Sequence, residues 1–281
     1  MDDTRLARFN SNESFSTMKM PINMIGGGFY HDICSSAGSE PKLIEWKKDN
    51  SADISIHIDY HIQTPVDRNK KNYAWLSESR TINPSLYNWC IENVNYLNDT
   101  FELIFTNDKS LLKLSPKFKQ VICSARPWIK ECALFPKTKL VSMIASNKSL
   151  CPEHNLRKYV INKFKNQIDL YGRGYVDIAD KSIGLKDYYF SICMENLTYS
   201  NGYSEKISDC FATGTIPIYY GSPDIVEVFN ADGILWLTDE FKIEDLSAEL
   251  YWSKLDAIKD NFERAINFPI AEDWIYETYI K

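Results

Sequence analysis

The sequence predicts an α/β protein built as two parallel-sheet domains that face each other across a cleft. Strand-like and helix-like segments alternate along almost all of the 281 residues, the pattern of parallel strands joined by crossover helices. That length exceeds what one hydrophobic core comfortably fills and suits two domains. The alternation lapses once, at PWIKECALFPKTK with its two prolines. The boundary therefore falls near residue 135, giving residues 1–135 and 136–281 as the two domains, with the last helix expected to pack back on the first.

In the first half, KLIEW, ISIHIDY, NYAWLS, FELIFT and KQVICSA are short β-branched and aromatic runs that read as strands. Between two of them, NPSLYNWCIENVNYL sets Leu86, Trp89, Cys90 and Val94 at helical spacing on one face. The second half repeats the alternation. LVSMIAS is a strand, and a helix follows from Pro152 with Leu156, Val160 and Phe164 on its apolar face. IDLYG and YFSICMEN are strands, SEKISDCFA a helix, TIPIYYG a strand, PDIVEVF a helical turn and GILWL a strand. A long closing helix is expected from Glu244.

A chain that is 44% hydrophobic and 25% charged, with 14 Phe, 17 Tyr and 7 Trp, has the composition of a well-packed soluble protein. No run is long enough to cross a bilayer, and the opening MDDTRLARFNSNE lacks an apolar signal core, so a cytoplasmic protein is expected. The seven cysteines are odd in number and form no CxxC pair; most lie in apolar runs and read as buried free thiols of a reducing compartment. A net charge of -6, relieved only by local clusters such as RNKKN, argues against nucleic-acid binding. Any bound anion must then be held by a few placed groups.

In open parallel sheets, ligands collect beyond the carboxyl ends of the strands. Three such loops carry candidate chemistry. In IASNKSLCPEHNLRKYV, Pro152 suits a helix start and Arg157 lies one to two turns in, beside the apolar stripe, either as a solvated surface group or reaching back to the strand end. In FSICMENLTYSNGYSEKISDCFATGTIPIYYG, Ser204 is a helix cap, and Glu205 and Lys206 stand in the first turn, where a lysine is unfavourable unless an anion joins it. The pair either decorates an exposed turn or serves a nucleotide diphosphate, with cation and N–H groups for phosphate and carboxylate for a ribose diol. In NYAWLSESRTINP, Glu78 is either a turn cap or a general base at the cleft, with Arg80 nearby. His31, His57, His61 and His154 lack metal-ligand spacing, MIGGGFY is too weak for a phosphate loop, and no dinucleotide or P-loop motif is present.

FSICMEN followed by GYSEKISDCFATGTIPIYYGSPDI closely resembles the C-terminal signature of family ten glycosyltransferases, the α1,3/α1,4-fucosyltransferases. In that signature a Phe-rich strand ending in Glu-Asn precedes Tyr-x-(Thr/Ser)-Glu-Lys, a helix and a Pro-Val/Ile-Tyr-x-Gly strand. The resemblance covers residues 139 to 240 well and the first half loosely.

It implies a GT-B scaffold of two Rossmann-like domains and inverting transfer of fucose from GDP-fucose to a glycan hydroxyl, with an α1,3-type linkage. The second domain would hold the donor and the first the acceptor. By the same resemblance, Lys206 and Arg157 would contact the donor phosphates and Glu205 the ribose, while Glu195, Asn196 and Tyr203 fill signature positions of the donor site. Glu78 would be the catalytic base, although the family commonly reads Gly-Glu-Asn where this chain has Ser-Glu-Ser. No metal is implied, in keeping with the lack of an Asp-x-Asp motif, and a soluble bacterial or viral form is suggested by the lack of a membrane anchor. Rival readings are a transferase using another nucleotide sugar and a glycan-binding homologue without turnover.

Overall fold

A computed structural model describes residues 18–26, 29, 34–122, 125–149, 151–196, 198–199 and 202–281. Two all-parallel sheets organise them. β1 (Met20–Ile25), β2 (Ile44–Lys47), β3 (Ile54–Ile58), β4 (Lys71–Trp75), β5 (Ile104–Thr106) and β6 (Phe118–Gln120) form a six-stranded sheet in the order β2-β1-β3-β4-β5-β6. β7 (Lys139–Ile144), β8 (Asp169–Tyr171), β9 (Tyr188–Met194), β10 (Ile216–Tyr220) and β11 (Leu235–Trp236) form a second, in the order β11-β10-β9-β7-β8. The expected α/β class with parallel sheets is what the chain forms.

Each sheet is buried on both faces, which is why its strands read as continuous apolar runs. Alternation along a strand divides its side chains between two clusters. Ile192 and Ile218 join Val160, Ile161 and Phe164 on one face of the second sheet, whereas Cys193 and Tyr219 join Ile207, Phe211 and Phe229 on the other. In the first sheet, Tyr73 and Trp75 face Ile22, Ile56 and Phe105, and Ala74 and Leu76 face Leu86, Tyr87 and Leu97.

Several elements differ from the sequence reading. β1 was not expected, because Pro21 and Asn23 interrupt its apolar pattern. Asn23 is fully buried, and its amide bonds the N–H and C=O of Ala52 and the Ser55 hydroxyl. The helix after Pro84 breaks at Asn93 into α1 (Pro84–Glu92) and α2 (Val94–Thr100), and its buried stripe is Leu86, Tyr87, Cys90 and Leu97, leaving Trp89 and Val94 half-buried.

The long closing helix is in fact divided. The Ser247 hydroxyl caps α5 (Ala248–Ser253) at the Leu250 N–H, Lys254 interrupts, and α6 (Leu255–Ile266) stops before Phe268-Pro269. A further helix, α7 (Ala271–Ile275), sets Ala271 and Ile275 into the cluster of Ile22, Ile56 and Trp75 on the first sheet. Its buried carboxylates fix that position. Glu272 accepts from the Ser35 N–H and hydroxyl, and Asp273 from the Lys42 and Leu43 N–H groups.

Cys34, Cys90, Cys151, Cys193 and Cys210 are buried free thiols, as expected for most of the set, and Cys132 is exposed; Cys123 lies outside the described residues. Among the described residues no helix is long and apolar enough to cross a membrane.

Candidate active site

The strand β9 ends at Met194, and the next residue opens the site. Glu195 continues the ladder through its N–H to the Tyr220 carbonyl (2.8 Å) and is only 3% exposed. Its carboxylate accepts from the Ser204 N–H (2.9 Å), the Ser204 hydroxyl (2.8 Å) and Lys206 Nζ (3.0 Å). Such donors are what a buried charge requires. Ser204 caps α4 (Glu205–Phe211), as expected from sequence, with its hydroxyl accepting from the Lys206 N–H. The first-turn lysine thus already has an anion, the Glu195 carboxylate. Burial alone would lower its pKa, but Glu195 and Glu205 outweigh that and raise it.

Glu205 does not decorate an exposed turn. It is 8% exposed and paired with Lys181 (2.9 Å), with Lys206 Nζ 4.0 Å away. Burial alone would raise its pKa, yet the two lysines hold it down at about 2. Lys181 also binds Asp209 (2.7 Å) and lies over the Trp128 ring, 4.6 Å from its centroid. Burial opposes the Lys181 charge, but Glu205 and Asp209 more than compensate and push its pKa above the ordinary lysine range. Asp209 accepts the Trp128 N–H (2.6 Å), and burial lifts its carboxyl to about 6 against the pull of Lys181.

Arg157 lies on the buried stripe of α3 (Pro152–Phe164), together with Val160, Ile161 and Phe164, and is 6% exposed. Its expected place beside the stripe is corrected, since spacing i, i+3, i+4 and i+7 puts all four on one face, and of the two alternatives it takes the one that reaches back to the strand end. Its guanidinium donates to Asn196 Oδ1 (2.7 Å) and reaches the Met194 carbonyl (3.4 Å), so it braces the end of β9. Tyr203 is 8% exposed and packs in the cluster of Cys193, Ile207 and Tyr219.

The opposite wall comes from the first sheet. β3 ends at Ile58 and β4 at Trp75, so Asp59 and the turn Ser77-Glu78 leave adjacent strand ends. Asp59, at φ +49°, accepts from the Ser77 N–H (2.9 Å), the Ser77 hydroxyl (2.6 Å) and the Glu78 N–H (3.2 Å). From the other side, the Tyr87 hydroxyl donates to the Glu78 carbonyl (2.7 Å). Glu78 is therefore held by its backbone at both ends while its carboxyl projects free of the turn. Desolvation by the surrounding wall and the Asp59 charge push its pKa up, offset in part by Lys206. Arg80 takes no part in this wall, since it pairs with Asp108 (2.8 Å) and stacks over Tyr87.

A cavity of about 650 Å³ lies between the walls, within the range that small-molecule sites occupy. Glu78 lines it from one side and Glu195, Asn196, Tyr203, Glu205 and Lys206 from the other, and Arg157 stands behind Asn196. The structure thus brings all seven expected residues around one space. It adds Asp59, Lys148 and Trp128 to the lining, and Lys181 and Asp209 behind it. Asp59 was legible by the criterion applied to Glu78, a carboxylate just past a strand, and Lys148 follows the strand that β7 forms. Nothing local marks Lys181 or Trp128, whose roles arise from contacts distant in sequence.

His57 bonds Asn72 (3.1 Å) and the His61 carbonyl, and His154 is buried; His31, Gly27 and Gly28 lie outside the described residues. Among the described residues no group of three or more His, Cys, Asp and Glu is arranged to hold a metal ion.

No family model matches the sequence. An α-(1,3)-fucosyltransferase, FucT of Helicobacter pylori, is 29% identical over 160 residues, 52% of this chain and 32% of that protein. The chain thus spans about a third of the length of the curated relative it matches. A crystal structure of an α1,3-fucosyltransferase superposes with a TM-score of 0.55 at 17% identity, covering 90% of this chain and 84% of that one. The chain is similar in sequence and in fold to α1,3-fucosyltransferases. An α1,3-fucosyltransferase crystallised with GDP-fucose gives 0.50 at 16% identity, over 95% and 86% of the two chains. TarM gives 0.51 at 13% identity over 80% and 54%. The shared architecture is GT-B: two parallel-sheet α/β domains.

Proposed function

We propose that the protein is an inverting glycosyltransferase that moves fucose from GDP-fucose to a hydroxyl of a glycan, forming an α1,3-type linkage. The observation that carries this reading is a single cavity lined by an accessible carboxylate, Glu78, on one wall and by the cation Lys206 on the other. Inverting transfer needs those two functions on opposite faces of the reacting sugar. The sequence likeness to the Helicobacter pylori enzyme and the architecture shared with an enzyme crystallised with GDP-fucose support the choice of donor.

In this reading Glu78 takes the proton of the acceptor hydroxyl as its oxygen attacks the anomeric carbon. The bond to the departing diphosphate breaks on the far side, and Lys206 and Arg157 stabilise the charge that develops there. Lys206 then exchanges Glu195 for phosphate, and Glu195 keeps its hydrogen bonds from the Ser204 N–H and hydroxyl. Glu205, deprotonated at any ordinary pH, accepts from the ribose diol, while Asn196 and Tyr203 shape the donor wall. None of these steps calls on a metal. Residues 1–135 would form the acceptor domain and 136–281 the donor domain.

The deciding experiment incubates the protein with GDP-fucose and a glycan array and reads transfer by product mass. Transfer of a deoxyhexose supports the proposal. Turnover with another nucleotide sugar and none with GDP-fucose replaces the donor, and glycan binding with no turnover from any donor replaces the activity.

A further inference from the structure

The turn that presents Glu78 is built around a second carboxylate. We infer that Asp59 is a positioning residue for the proposed base: it grips the Ser77-Glu78 backbone and places a second carboxylate in the wall that presents Glu78. This rests on the transferase reading of the cavity and adds to it a residue that the signature does not contain.

The geometry is specific. Asp59 accepts three hydrogen bonds from Ser77 and Glu78, from the Ser77 and Glu78 N–H groups and the Ser77 hydroxyl. Those donors favour the ionised form, while burial outweighs them and raises the Asp59 pKa above the ordinary carboxylate value. To reach them the backbone at Asp59 adopts φ +49°, a region in which Asp and Asn are enriched. Both residues line the same cavity.

The charges facing Glu78 are Asp59 from the end of β3, Glu205 and Lys206 from α4 and Lys148 from the loop after β7; His61 faces Asp59. After burial, Asp59 is the largest influence that raises Glu78. A raised carboxyl makes a stronger base, at the cost of a rate that fades sooner as pH falls. The two effects come from one interaction, so they should move together.

Asp59→Asn is the informative variant, because Asn tolerates the positive φ and keeps one acceptor oxygen while removing the charge. The acid limb of its kcat/KM profile is expected to move to lower pH, its plateau to fall, and its affinity for GDP to stay that of the parent. A direct titration of the Glu78 carboxyl by carbon NMR should show the same downward move. Asp59→Ala loses the backbone anchor as well, and kcat should fall by on the order of 10²-fold. A melting curve on each variant separates misfolding from misplacement.

An unmoved acid limb and an unmoved Glu78 titration in a folded Asp59→Asn protein overturn the inference, even if Glu78→Gln is inactive. Full turnover by Glu78→Gln overturns the base assignment instead, and the inference with it. If the wild type transfers no sugar, the transferase reading fails, and the NMR titration still decides whether Asp59 sets Glu78.

Discussion

The two walls of the cavity treat charge in opposite ways. Around the start of α4, each buried charge meets an opposite one: Lys206 with Glu195 at 3.0 Å, Lys181 with Glu205 at 2.9 Å and with Asp209 at 2.7 Å. At the ends of β3 and β4, two carboxylates stand together, and Asp59 accepts from the Ser77 N–H and hydroxyl and the Glu78 N–H. A network of opposite charges holds its groups in place, which suits holding a charged ligand. Burial and a neighbouring like charge, only partly offset by Lys206, raise a pKa, which suits moving a proton.

The comparison breaks most sharply at Glu78. Glu78→Gln is expected to cut turnover by about 10²- to 10⁴-fold while leaving GDP affinity intact, as measured by steady-state rates and calorimetry. Loss of GDP binding in that variant would move the residue to the donor wall. Next in size is Lys181→Met, which strands Glu205 and Asp209 without a counter-charge. Urea unfolding should show a loss of up to about 3 kcal/mol, the low end for a broken buried pair, because the lysine side chain is still 30% exposed.

Lys206→Ala should weaken GDP-sugar binding by about 1.5–3 kcal/mol, as read by titration calorimetry. Unchanged affinity would remove Lys206 from the donor site and leave it as a partner for Glu195 alone.

The smallest effect is on stability against pH. Glu205 is held at about 2, below its usual 4.5, so the stability it supplies is complete above pH 4.5 and disappears as pH falls toward 2. Asp209, raised from 3.8 to about 6, works in the opposite sense and disfavours the fold as pH rises between those values. Glu205→Gln should flatten the acid-side loss in a series of melting curves. An acid profile unchanged by that substitution would mean that the network is not compensated as its geometry implies.

Local signals made much of this legible. Parallel strands buried on both faces show as apolar runs, and the Ser204 cap and the Pro152 helix start each depend on a few neighbouring residues. What stayed hidden was non-local. β1 contains Pro21 and a buried Asn23 whose partners lie about Ala52 and Ser55, so its own sequence looks unlike a central strand. The closing helix reads as one because its residues favour helix throughout; the breaks come from the Ser247 cap and from the Phe268-Pro269 stop before α7. Arg157 reads as lying beside the apolar stripe because a buried arginine is normally disfavoured, and the acceptors at Asn196 and Met194 make its burial tolerable.

By itself the sequence determined the α/β class, the placing of chemistry at strand ends, and which residue types gather there, because periodicity and capping act over a few residues. Only the tertiary structure decided that Lys206 meets Glu195, that Lys181 crosses to Glu205 and Asp209, and that Asp59 grips the turn carrying Glu78. These pairings join strand ends through loops and sheets, and a chain's order does not say which loop ends come to lie side by side.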